Sequence, residues 1–206
     1  MRGARLLKPL AFVASLGPLA CLSLGAWQGS LGANPIETIT RATGLWTLRF
    51  MLITLAVTPL RRLTGWNEII RVRRMLGLFA FAYGSLHLMT YVWLDQFFDW
   101  AAIAKDVVKR PFITAGVSAF AVLIPLAATS TAGMIRRLGG RNWRRLHRLA
   151  YVAAALGVVH YWWLVKLDTR PPRNYAMLLA GLLAVRLVAF FRGHPSERRG
   201  LPVRKS

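Results

Sequence analysis

RVRRMLGLFAFAYGSLHLMTYVWL, residues 71–94, decides the fold class. Arg71, Arg73 and Arg74 stand before twenty residues, Met75 to Leu94, that contain no Lys, Arg, Asp or Glu. A helix rises about 1.5 Å per residue, so twenty residues reach about 30 Å, the thickness of a bilayer's hydrocarbon core. The run does not alternate apolar with polar residues as a half-buried strand does, and it lacks the polar face of a soluble amphipathic helix. It reads as a membrane-spanning helix entered through a basic edge.

Five further apolar blocks have the same character: Leu10 to Trp27, Gly44 to Leu60, Phe112 to Ser130, Leu146 to Val165 and Tyr175 to Phe191. The chain of 206 residues is 55% hydrophobic. The expected fold is all-α, a polytopic membrane helix bundle of about six transmembrane helices. It forms one membrane domain over 1–206, with its core at about 44–190 and a cytoplasmic tail at 192–206. The first block follows Arg2, Arg5 and Lys8 and resembles a signal peptide. Its length, and Pro18 just before Ala20 and Cys21, favour an uncleaved first helix.

The net charge is +21, from 28 Lys and Arg against 7 Asp and Glu. On a soluble chain such a balance suggests nucleic acid. Here the basic residues lie almost entirely between the apolar blocks, as in the cytoplasmic loops of a membrane protein, so no nucleic-acid partner is expected. Nineteen Lys and Arg fall on the side of the termini and of loops 61–74 and 136–148, and seven fall on the other side. The positive-inside rule therefore places both termini in the cytoplasm. The single cysteine, Cys21, excludes an intrachain disulfide and an all-cysteine iron–sulfur cluster. C-x-x-C-H is absent, which excludes covalent c-type haem attachment.

His87 lies 13 residues after Arg74, and His160 lies 13 residues after His147. At helical rise each of the two is about 20 Å deep from the basic edge. Ionisable groups at such depth are costly and usually functional. Two neutral imidazoles at one level on two helices can clamp one haem iron from both faces, an arrangement suited to electron transfer. The competing readings are a hydrogen bond across a helix interface and a proton relay. His147 lies at the cytoplasmic edge of the fifth block, level with Arg74, which suits a propionate or phosphate better than iron. Thirteen residues turn a helix about 140° short of four full turns, so His147 and His160 should not share one helix face. His194, in the tail, reads as a solvated residue. Gly77, Ala80, Ala82, Gly84 and Ser85 permit close helix packing or the close approach of a flat macrocycle.

The stretches TPLRR (58–62), RVRRMLGLFAFAYGSLH (71–87), KRPFITAG (109–116), LAATS (126–130), NWRRLHRLAYVAAALGVVHYWW (142–163) and VK (165–166) resemble the MsrQ family, formerly called YedZ. That family is similar in its core to the ferric-reductase-like transmembrane proteins. The resemblance implies a multi-pass subunit of the bacterial inner membrane that carries b-type haem, one or two per chain. It implies a heterodimer with MsrP, a periplasmic molybdopterin enzyme that reduces methionine sulfoxide in oxidised proteins. The quinol pool is the implied donor, with FMN and a cytosolic flavin reductase in some members. The family's haem histidines fall on His87, His147 and His160. The wider superfamily has two histidines on each of two helices, and Arg74 stands where the fourth would be.

Electron transfer competes with two other readings. A small proton-coupled transporter would want acidic residues within its helices, and few are there. A non-catalytic anchor for a periplasmic reductase would need no cofactor at all.

Overall fold

The computed structural model describes residues 2–192. His194 and the tail beyond it lie outside the described residues. Eight α-helices follow in order: α1 (Arg2–Trp27), α2 (Pro35–Thr64), α3 (Arg73–Met89), α4 (Trp100–Lys109), α5 (Pro111–Ala128), α6 (Ala132–Leu146), α7 (Leu149–Leu164) and α8 (Arg170–Arg192). No strand occurs among the described residues. A 3₁₀ turn, Asn67–Val72, leads into α3, and a π-helical turn, Thr90–Asp95, continues it. Among the described residues four segments are long and apolar enough to cross a membrane: Leu6–Trp27, Pro35–Thr64, Asn67–Asp95 and Pro111–Ala128. The apolar α7 is shorter, at 16 residues, and α8 has 23. The chain is a multi-pass membrane protein, and each of the six expected blocks is a helix.

Two helices were not anticipated. The amphipathic α4 and α6 occupy stretches that read as loops, because their basic residues interrupt any apolar run. Asp99 caps α4 by accepting from the N–H groups of Ala101 and Ala102. Thr131 caps α6 by accepting from the N–H of Met134 at 3.2 Å. Gly139, at φ 74°, breaks α6 in its middle, a backbone state that favours glycine.

The core is built from two helix pairs, α2 against α3 and α5 against α7. Leu48, Leu52, Leu55, Leu76, Ala80, Ala153 and Ala154 fill it. The small residues of α3 serve packing: Gly84 faces Thr47 of α2 and Phe120 of α5, and Phe81 stacks on Phe120 at 5.5 Å between centroids. α1 is tied on through Tyr83. Pro18 has no N–H to give, and the Tyr83 hydroxyl enters the opened helix there. It accepts from Leu19 N–H at 3.0 Å and donates to Ser15 C=O at 2.9 Å. Such an insertion re-satisfies backbone groups where no water is at hand.

Candidate functional site

His87 is near the end of α3 and His160 near the end of α7. Both helices run the same way through the bundle, so the depth match in the sequence becomes a spatial match. The two ring centroids lie 6.0 Å apart with an interplanar angle of 73°.

Each ring is held by the partner helix of its pair. His87 Nδ1 lies 2.9 Å from the carbonyl oxygen of Thr40 on α2. His160 Nδ1 lies 2.6 Å from the carbonyl oxygen of Phe112 on α5. A carbonyl only accepts, so Nδ1 carries the proton in both rings. Nε2 is then a bare lone pair, with no hydrogen-bond partner for either ring among the described residues. A fixed Nδ1–H sets tautomer and ring orientation for a metal-binding imidazole.

Glycine makes both seats possible. Gly44 follows Thr40 by four residues, and Gly116 follows Phe112 by four. A Cβ on Gly44 would lie 2.9 Å from His87 Cε1, and one on Gly116 would lie 2.8 Å from His160 Nδ1. The two helix pairs thus repeat one device: a carbonyl, a glycine one turn later, and a histidine from the neighbouring helix lying across both.

The arrangement fits one iron held between the rings. With metal–nitrogen bonds of about 2 Å, imidazoles on opposite sides of one metal have centroids about 6 Å apart. An edge-to-face ring contact has similar spacing. In either case the carbonyl bond commits each ring's N–H to the backbone and leaves Nε2 bare. Both histidines are only half-buried within the bundle.

His147 is placed differently. α6 ends at Leu146 and α7 begins at Leu149, so His147 sits in the turn between them. Its Nε2 is 3.1 Å from Thr129 Oγ1 at the end of α5. Trp143 stacks on the ring at 3.9 Å and donates from Nε1 to the Thr129 carbonyl at 2.9 Å. His147 and His160 therefore both contact α5, near its two ends. The expectation that they face apart assumed continuous helix, and the turn at His147–Arg148 removes that assumption. Arg74 is exposed. Its neighbour Arg73 is the one within electrostatic reach of His147. Among the described residues no second imidazole accompanies His147, and no group of three or more His, Cys, Asp or Glu gathers at a common point.

The sequence reading missed Thr40, Gly44, Phe112 and Gly116. The shared four-residue spacing is a faint signal, because glycine in a membrane helix ordinarily reads as packing.

The bundle and its paired histidines define a class: a multi-pass membrane helix bundle with two imidazoles brought together between its helix pairs. Residues 43–158 match the family model described as ferric reductase like transmembrane component. Three relatives carry the name protein-methionine-sulfoxide reductase heme-binding subunit MsrQ. That of Herminiimonas arsenicoxydans is 58% identical over 184 residues, covering 88% of this chain and 84% of the relative. That of Azospira oryzae is 54% identical over 187 residues, covering 90% and 80%. That of Rhodospirillum rubrum is 54% identical over 194 residues, covering 94% and 93%. The chain belongs to the MsrQ family of ferric-reductase-like transmembrane proteins.

Proposed function

We propose that this chain is the haem b subunit of a methionine-sulfoxide reductase system in a bacterial inner membrane. His87 and His160 would hold its haem iron through their Nε2 atoms. The observation that carries the reading is the pair of bare Nε2 atoms, on rings 6.0 Å apart and each fixed by a backbone carbonyl. The names of the relatives support it. When bound, haem supplies a one-electron iron couple. Held by two imidazoles, the iron would be closed to substrate, which would favour electron transfer over catalysis at the metal.

The quinol pool is the proposed donor, and the periplasmic molybdopterin enzyme MsrP is the proposed acceptor and partner. The Lys and Arg asymmetry supports cytoplasmic termini, with the His87–His160 end toward the periplasm, where such an acceptor collects electrons. No residue is assigned to FMN or to a flavin reductase.

Spectroscopy of detergent-solubilised membranes, in which both faces of the protein are accessible, tests the route. A soluble quinol analogue should reduce a b-type pigment. Purified periplasmic reductase with methionine sulfoxide should reoxidise it. A pigment that quinol never reduces, or that the reductase never reoxidises, contradicts the proposed route. Full turnover from quinol in a His87→Ala, His160→Ala double variant would instead identify an anchor.

His147 is not needed for the outer site. A His147→Ala variant should keep one low-spin b-type haem per chain, read as haem-to-protein ratio with the reduced-minus-oxidised spectrum. Loss as complete as in His87→Ala would show that His147 belongs to the same site.

A further inference from the structure

At the opposite end of the bundle from His87 and His160, two arginines, Arg73 and Arg186, are half-buried. Arg186 of α8 donates to the hydroxyl of Tyr151 on α7 and, at 2.5 Å, to the Leu55 carbonyl on α2. Its guanidinium also lies over the Tyr151 ring, 4.9 Å from the centroid. Its Nε is buried with no hydrogen-bond partner. Arg73 of α3 lies within electrostatic reach of Arg186 and Tyr151, and of His147.

The described carboxylate nearest in sequence to Arg73, Glu68, is paired with Arg71 at 2.9 Å. Neither Arg73 nor Arg186 has a carboxylate partner among the described residues. Two like charges within a membrane bundle repel, and each loses hydration without a counter-charge. Such a pair is stable when an anion completes it. The donors left over suit one: an unused Nε–H on Arg186, the fork of Arg73, and the Tyr151 hydroxyl. That hydroxyl accepts from Arg186 and keeps its own proton to give. Guanidinium forks match the oxygens of a carboxylate or a phosphate.

We propose that Arg73, Arg186 and Tyr151 form a binding site for an anionic oxygen group, a carboxylate or a phosphate, at this end of the bundle. The two sources are a propionate of a macrocycle bound beside His147 and the headgroup of an anionic phospholipid. The propionate source extends the haem reading above and needs a second macrocycle at this end, beyond the one proposed at His87 and His160; the lipid source needs none.

The test uses full-length protein in nanodiscs of phosphatidylcholine containing phosphatidylglycerol, comparing Arg73→Gln, Arg186→Lys and Tyr151→Phe with the unaltered chain. Two quantities are read: haem per chain with its midpoint potential, and phosphatidylglycerol retained per chain by native mass spectrometry. Tyr151→Phe keeps the ring under Arg186, so it reads the site even if Arg186→Lys fails to fold. A propionate source predicts lost haem or a shifted potential with lipid retention unchanged. A lipid source predicts phosphatidylglycerol retention lowered about tenfold, with the haem unchanged. Folded variants that match the unaltered chain in both readouts overturn the proposal. Should the protein hold no haem at all, the lipid readout still decides for the lipid source, and equal retention then overturns the site.

Discussion

His87→Ala and His160→Ala are each expected to remove the b-type pigment from the proposed outer site. Each substitution deletes one of the two imidazoles that would hold the haem and leaves the other seated on its carbonyl, Thr40 or Phe112. A single imidazole holds the iron from one face only, so haem retained through purification should fall by well over the roughly 10–100-fold typical of disturbing a supporting contact. Haem-to-protein ratio and the reduced-minus-oxidised spectrum report the loss. A variant with a full haem complement and an unshifted low-spin spectrum would remove that histidine from the site. The fold should survive both changes, since each ring is half-buried and lies outside the main core of α2, α3, α5 and α7.

The glycine seats carry the second large effect. A Cβ on Gly116 lies 2.8 Å from His160 Nδ1, the atom that donates to the Phe112 carbonyl at 2.6 Å. Gly116→Ala therefore displaces the ring and strains or breaks that bond, and Gly116→Val does so more strongly. Gly44→Ala acts the same way on His87. Each is expected to lower haem retention about 10–100-fold, the cost of losing a group that orients a metal ligand. Gly181→Ala on α8 is the control: nothing lies within 4 Å of its added Cβ. It should retain full haem and helical circular dichroism. Wild-type haem content and spectrum in both Gly44→Ala and Gly116→Ala would show that the seats do not position the histidines.

Much of this was legible in the sequence because hydrophobic length and charge placement are one-dimensional signals. Residues 71–94 announce a span, and the 13-residue intervals place His87 and His160 at one depth. Rotation about the helix axis is harder to read. One residue turns a helix about 100°, so Arg73 and Arg74 look equivalent in the sequence while the structure exposes Arg74 and sets Arg73 near His147. Helix ends are equally hard to place. A boundary two or three residues off put His147 on a continuous helix, where the turn before Leu149 in fact aims it at Thr129. Basic amphipathic helices such as α4 and α6 read as loops when only apolar length is scored. The carbonyl–glycine seats lie between helices, and no single-chain pattern states which helix faces which.

The central claim is that His87 and His160 face one haem iron from opposite sides. Low-temperature EPR of the oxidised, purified protein tests it most directly. Two imidazoles make the ferric iron low-spin, and ring planes set 73° apart give the strongly anisotropic signal of near-perpendicular ligands. That signal should vanish in His87→Ala and in His160→Ala. A high-spin ferric signal in the unaltered protein, or a low-spin signal that survives both substitutions, would contradict the account.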